Sequence, residues 1–312
     1  MSNSLPDSLF GVFGAPAAEL AAVPAGARQM SPLVPDSVAL EDVARASLAG
    51  MVMAAPPGTL ERRYALALSL RALRPGAPFT GMAPKEKGGS RIAKELEDFG
   101  CRVAATSRRH HRICQTTSPD AFDAQAQTLI DEAITAGSLR FVDDINLWSQ
   151  PGIFSWDRID PGTSVLLSAL PTFAGRGADL GCGLGVIARV VLGSAKVERL
   201  DLVDIDRRAV AAARRNVADA RATFTWADIR RLTGVDNLDF VVMNPPFHDG
   251  GREDKALGQS FVRQSHHMLR DGGTAWLVAN LHLPYESVLE SAFAQVTLRA
   301  ERGGFKVYEA IK

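Results

Sequence analysis

The chain has 312 residues, 46% hydrophobic and 22% charged, so it is long enough for about two globular domains. Its 35 basic and 35 acidic side chains cancel. That excludes a global field drawing the chain onto nucleic acid and leaves only local patches for such binding.

No apolar run approaches the ~18 residues needed to span a bilayer, so no membrane association is expected. The first 27 residues lack the basic start of a signal peptide. The three cysteines, Cys101, Cys114 and Cys182, form no C-x-x-C pair, which suits a reduced, cytoplasmic chain with no metal centre.

Residues 1 to about 30 are weakly patterned. Ala39 to Leu48 predicts a helix and Met51 to Ala54 a short strand. Thr59 is placed to cap a helix through Leu73, and Pro78 to Met82 reads as the next strand. Ser90 to Phe99 is an amphipathic helix closed by Gly100. Cys101–Ala104 and Arg112–Cys114 read as strands. Alternating strands and helices imply an α/β layer structure. No glycine-rich loop follows any of these strands. Lys85, Lys87, Arg91 and Lys94, followed by Ser107-Arg108-Arg109-His110-His111-Arg112, form either an RNA-contacting patch or a solvated face. Leu139 to Val142 is a strand candidate in a connector, and the domain boundary is expected near 145. That gives one domain over 1–145 and another over 146–312, whose first helix is capped by Thr163 or Ser164.

From residue 176 the pattern sharpens. Ala178-Asp179-Leu180 leads into Gly181-Cys182-Gly183-Leu184-Gly185 and an apolar helix. This G-x-G-x-G spacing differs from the dinucleotide fingerprint and suits a ligand that lays a ribose, with no phosphate, against backbone. The next strand, Val197 to Val203, ends at Asp204, about 20 residues on, where a carboxylate can accept ribose hydroxyls. Asp206 better fits a helix N-cap. A third strand delivers Asp228 and Ile229, suited to an adenine amino group and ring. A fourth, Leu238 to Met243, delivers Asn244-Pro245-Pro246-Phe247.

The prolines stiffen that last loop and remove backbone donors. The Asn244 side-chain oxygen and the Pro245 carbonyl then accept both hydrogens of a planar amine, while Phe247 offers a stacking plate. Ligands collect at the carboxyl ends of such strands, and four consecutive ends here carry suitable groups. Gly303-Gly304 joins the last two strands, so the final one is expected to run antiparallel.

These motifs, with Pro151-Gly152-Ile153-Phe154-Ser155, His248-Asp249-Gly250, Val278-Ala279-Asn280, Leu283-Pro284-Tyr285 and Phe305-Lys306-Val307-Tyr308, resemble class I methyltransferases dependent on S-adenosylmethionine (SAM). The closest likeness is the ribosomal RNA small subunit methyltransferase C family, which modifies guanine N2. It covers about residues 150 to 312. The resemblance implies a Rossmann-like, seven-stranded mixed sheet preceded by a degenerate α/β domain of structural or RNA-recognition role. It implies SAM held by Asp179, Gly181, Cys182, Gly183, Gly185, Asp204, Asp228, Ile229 and Asn244, with Asn244, Pro245, Pro246 and Phe247 serving catalysis. The implied partner is ribosomal RNA or the small subunit, bound by a monomer. A protein glutamine or DNA adenine substrate, or a non-catalytic RNA-binding assembly factor, remain alternatives.

Overall fold

The computed structural model describes residues 9–246, 248–249, 252–253, 255–283 and 285–312. It divides into two compact units, Met1–Ser138 and Leu139–Lys312. The division falls before Leu139, not near 145. Leu139, Ile145 and Leu147 pack with Ile153, Leu184, Ala209 and Ala212, so the connector belongs to the second unit.

The first unit contains β1 (Phe10–Phe13), β2 (Arg28–Gln29), β3 (Gly50–Ala54), α1 (Thr59–Ala72), β4 (Pro78–Pro84), α2 (Gly89–Asp98), β5 (Ala104–Arg108), β6 (His111–Thr117) and α3 (Ala124–Gly137). Its sheet has the order β2-β1-β3-β4-β6-β5. The strands β1 to β4 run parallel, and β6 is antiparallel to both neighbours.

The helix expected over Ala39 to Leu48 is reduced to one 3-10 turn, Leu40–Asp42. Ala46 turns left-handed at φ 51°. The amides of Ala46, Ser47 and Leu48 then reach the Arg71 and Ala72 carbonyls. Three amides of the segment thus cap the end of α1 and are lost to a helix of its own. Thr59 opens α1, but its N-cap is Gly58. The strands expected over Cys101–Ala104 and Arg112–Cys114 instead span Ala104–Arg108 and His111–Thr117, which takes in the basic stretch from Ser107 to Arg112. That stretch forms the ends of β5 and β6 around a tight turn at Arg109 and His110, both at positive φ.

A buried ion pair braces this unit. Arg62 donates from Nε and Nη2 to the two Glu95 oxygens at 2.7 and 2.8 Å, and from Nη1 to the Pro57 carbonyl at 2.7 Å. A Cβ at Gly88 would lie 2.1 Å from Arg62 Nη1, so only glycine fits beside the guanidinium.

The second unit contains β7 (Arg140–Val142), β8 (Leu147–Ser149), α4 (Pro161–Ala169), β9 (Gly175–Leu180), α5 (Val186–Val191), β10 (Val197–Asp204), α6 (Arg207–Asn216), β11 (Ala222–Trp226) and β12 (Leu238–Met243). There follow β13 (His248–Asp249), β14 (Arg252–Glu253), α7 (Lys255–Met268), β15 (Leu269–Asn280), α8 (Glu286–Ala292), β16 (Gln295–Arg302) and β17 (Phe305–Ile311). The main sheet is seven-stranded, in the order β11-β10-β9-β12-β15-β17-β16. The first five strands in that order are parallel, and β17 lies antiparallel between β15 and β16. The central strands read as continuous apolar runs because both faces are covered, by a core around Met243, Val262 and Leu277 and another around Leu202, Phe240 and Val242.

Glu95→Ala should destabilise the first unit by about 3–5 kcal/mol, because it strips a buried guanidinium of its carboxylate. Thermal and urea unfolding of the variant check this.

Candidate functional site

Sheet growth changes direction between β9 and β12. From β9 the chain adds β10 and β11 on one side, then returns to place β12 and β15 on the other. The loops leaving β9 and β12 therefore diverge at a crevice over the carboxyl edge, the usual ligand position in such sheets. A cleft opens there. Its walls include Gly181, Cys182, Gly183, Asp160, Thr163 and Asn244, together with Phe154, Ser155 and Arg158.

The glycine loop is held by backbone. The amides of Gly181 and Cys182 both donate to the Val203 carbonyl, at 2.8 and 3.1 Å. Gly183 stands at φ 52° and has open space where a Cβ would point, so a ligand can approach its backbone closely. Gly185 begins α5 at φ 78°, and a Cβ there would lie 2.8 Å from Val217.

Two carboxylates underlie the loop. Asp204 receives the Gly183 amide on Oδ2 at 2.8 Å and the Asp206 amide on Oδ1 at 2.9 Å. Burial raises its pKa to about 6, with the Asp206 charge adding to the effect, while the amides of Asp206, Gly183 and Ile205 oppose it. Asp179 is fully buried, and among the described residues no donor makes a well-formed hydrogen bond to either of its oxygens, the Ala188 amide lying nearest. Its pKa is pushed up to about 8, first by burial and then by the Asp204 charge, with the Ala188 amide opposing. A buried carboxylate without a well-formed hydrogen bond either stays protonated or is completed by an N–H donor. Cys182 is buried, and its thiol is held well above its ordinary value, so it lines the cleft as a small apolar group.

Asn244 ends β12 and is partly buried. Its Nδ2 donates to Asp160 Oδ2 at 3.0 Å and to Thr163 Oγ1 at 2.9 Å. Among the described residues no donor engages its Oδ1. Pro245 is buried and Pro246 partly so. Phe247 lies outside the described residues, as do Gly250 and Pro284.

Other expected residues have different surroundings. Asp228 ends the β11 connection but caps the next turn through the Arg230 amide, at 3.0 Å. The Arg230 guanidinium also engages both its oxygens, which holds its carboxyl below the usual range. A ligand amino group there must share Asp228 with Arg230. Ile229 is buried in the core that also holds Met243. Asp206 caps α6 through the Arg208 amide and forms a buried ion pair with the Arg208 side chain at 2.8 Å.

Sequence reading missed Asp160 and Thr163. The cap of α4 is Asp160, not Thr163 or Ser164. Its side chain accepts from the Thr163 amide, and Pro161 takes the first helical position. An Asp-Pro pair before an apolar helix carries that signal. Phe154, 62% exposed, Ser155 at φ 53° and Arg158 also line the cleft. Only the motif around Phe154 and Ser155 pointed to them.

The methyltransferase small domain model matches residues 144–309. A ribosomal RNA small subunit methyltransferase C from Pseudomonas entomophila is 33% identical over 237 residues, covering 73% of this chain and 69% of that protein. One from Shewanella loihica is 31% identical, covering 78% and 72%. The chain belongs to the ribosomal RNA small subunit methyltransferase C family. A T. thermophilus 16S rRNA N2 methyltransferase, solved with AdoMet and guanosine, matches 99% of this chain and 89% of its own with a TM-score of 0.77. At 23% identity that likeness shows that the two-unit fold is shared. Within this methyltransferase C fold, the cleft at the β9–β12 crevice is the candidate active site.

The buried acid gives a signed prediction. Asp179 ionises near 3.8 in an unfolded chain and near 8 in the fold. The fold therefore prefers the protonated form, and this residue destabilises increasingly as pH rises from about 4 to 8. Asp179→Asn removes that penalty. Its ligand-free melting temperature should exceed that of the wild type at pH 8 and converge on it below pH 4, as thermal melts across this range will register.

Proposed function

We propose that this chain transfers a methyl group from SAM to the exocyclic N2 of a guanine in 16S ribosomal RNA. The relatives' names support the substrate, and the Asn244 amide carries the chemistry. Its NH2 group is committed to Asp160 and Thr163, so the oxygen is the atom left for a guest in the cleft. An oxygen there suits an amine donor and repels a carbonyl.

The residues present fit SAM. Asp179 is an orphaned, buried carboxylate, which an ammonium group completes. Asp204 keeps lone pairs for ribose hydroxyls after accepting two amides. Gly183 leaves room for close approach. SAM supplies an electrophilic methyl group when bound.

The chain's own part is to prepare the nucleophile. An aromatic amine is weakly nucleophilic because its lone pair conjugates with the ring. Oδ1 of Asn244 and the Pro245 carbonyl accept the amine hydrogens and favour a pyramidal nitrogen, which frees the lone pair. As positive charge develops on nitrogen, these hydrogen bonds tighten. Holding the amine in line supplies much of the remaining rate. Phe247 provides the stacking plate for a base extruded from its helix.

The first unit contributes RNA backbone contacts in this reading. The Lys85 amide bonds the His110 carbonyl at 2.9 Å, which brings Lys85 and Lys87 beside the β5–β6 tip. Arg109 is partly neutralised by Glu19 at 2.7 Å. The enzyme acts as a monomer in the cytoplasm, where its three buried, unpaired cysteines stay reduced.

The deciding assay incubates the protein with SAM and either deproteinised 16S rRNA or small subunits lacking the modification. N2-methylguanine is the expected product. Methylated protein glutamine or adenine would redirect the substrate, and no methyl transfer to any of them would favour the assembly factor. Asn244→Ala should cut single-turnover methylation by about 10²–10³-fold while SAM affinity holds in calorimetry. Asp179→Asn should instead weaken SAM about 10- to 100-fold, the loss of one charged hydrogen bond. Neutralising Lys85, Lys87, Arg108, Arg109 and Arg112 together should flatten the salt dependence of RNA binding, because fewer counterions are released.

A further inference from the structure

The Asn244 amide has two orientations of nearly equal shape. One presents oxygen to the cleft and the other presents NH2. Only the first can accept the hydrogens of a target amine, because the second sets donor against donor. Something must therefore choose between them.

We infer that Asp160 and Thr163 are positioning residues that lock Asn244 with its oxygen toward the reacting amine, an inference that rests on the amine-activating reading above. Asp160 Oδ2 accepts two hydrogen bonds, from the Thr163 amide at 2.8 Å and from Asn244 Nδ2 at 3.0 Å. One oxygen thus joins the first turn of α4 to the end of β12. Thr163 Oγ1 accepts the second Nδ2 hydrogen at 2.9 Å. A carboxylate only accepts, so turning the amide over would set Oδ1 against Asp160, whereas the Thr163 hydroxyl can accept from NH2 or donate to oxygen and so anchors the amide while Asp160 makes the choice. The rejected orientation is disfavoured by repulsion from Asp160 as well as by the lost hydrogen bond to it. The carboxylate also polarises the amide it holds, which strengthens Oδ1 as an acceptor.

The lock itself is braced. A Cβ at Gly162 would lie 2.8 Å from the Phe305 ring and 3.0 Å from Asp160 Oδ2. The first turn of α4 is therefore seated on β17 with no slack, and Asp160 cannot follow Asn244 if that side chain turns.

Single-turnover methylation of unmodified 16S rRNA at saturating SAM tests the inference in two backgrounds. In the otherwise wild-type protein, Thr163→Val keeps the shape and removes the acceptor. It should slow the reaction about 10-fold, the loss of one hydrogen bond in the transition state. Thr163→Ser restores the hydroxyl and should recover most of the rate. SAM and RNA affinities should stay within about twofold of wild type in both, a split that loss of fold would not produce. In the Asn244→Ala background, Thr163→Val and Asp160→Asn should have no further effect, because they act through the missing amide. Undiminished losses in that background would overturn the inference and make Asp160 or Thr163 a direct contact. So would a crippled Asn244→Ala beside a fully active Thr163→Val. A fully active Asn244→Ala would sink the amine-activating reading itself, and the lock with it.

Discussion

The parallel pairing of β9 with β12 is the constraint on which the site depends. Leu180 and Met243 are register partners, so the two strands end side by side and at the same level. Each then releases a loop of opposite character. After Leu180 comes a glycine loop that bends freely and exposes backbone. After Met243 comes Asn244 with two prolines, which can hardly bend at all. A cofactor needs the first property, since its backbone contacts demand close approach. An acceptor for a reacting amine needs the second, since its value lies in not having to reorganise. Sheet order makes these loops neighbours although they are far apart in sequence.

Electrostatics at this edge are asymmetric. Asp204 is tied down by two amides, whereas Asp179 has no well-formed hydrogen bond among the described residues. Burying an unpaired carboxylate is costly, and the fold limits the penalty by keeping that acid protonated near neutral pH. A bound ammonium group, as proposed for SAM, would reverse the balance by stabilising the ionised form that the ligand-free site disfavours. In the proposed reading, SAM binding would therefore be coupled to proton release from Asp179. Asp228 shows the opposite choice. It is saturated by Arg230 and contributes chiefly to the turn after β11.

Groups at strand ends were legible in the sequence because their signals are local. An apolar run followed by glycines, by aspartate or by Asn-Pro-Pro reads directly as strand and loop. What was not legible depends on distance or competition. Asp160 and Thr163 meet Asn244 across 84 and 81 residues, and no periodicity links them. The helix expected over Ala39 to Leu48 has suitable residues, but its amides are recruited by the end of α1. The unit boundary was misplaced because Leu139 and Leu147 reveal their partner core only once Ala209 and Ala212 are folded beside them. Arg230 could have been noticed two residues from Asp228, yet an exposed arginine nearby is too common to carry weight.

The two units also explain one another. Omitting β11, the second sheet reads β10-β9-β12-β15-β17-β16, and the first reads β2-β1-β3-β4-β6-β5 with the same parallel and antiparallel neighbours. In both, the strand beside the central one is followed by a Pro-Pro pair, Pro56-Pro57 after β3 and Pro245-Pro246 after β12. Such a pair leaves carbonyls without local donors. The first unit satisfies its Pro57 carbonyl internally with Arg62, itself neutralised by Glu95, and has alanine at both positions between β3's Met53 and the prolines. The second places Asn244 before the prolines and uses internal groups only to hold its NH2. One topology therefore supports two outcomes. Where a guanidinium fills the carbonyls the edge is closed, and where an asparagine is fixed from behind its oxygen stays available for an amine from outside.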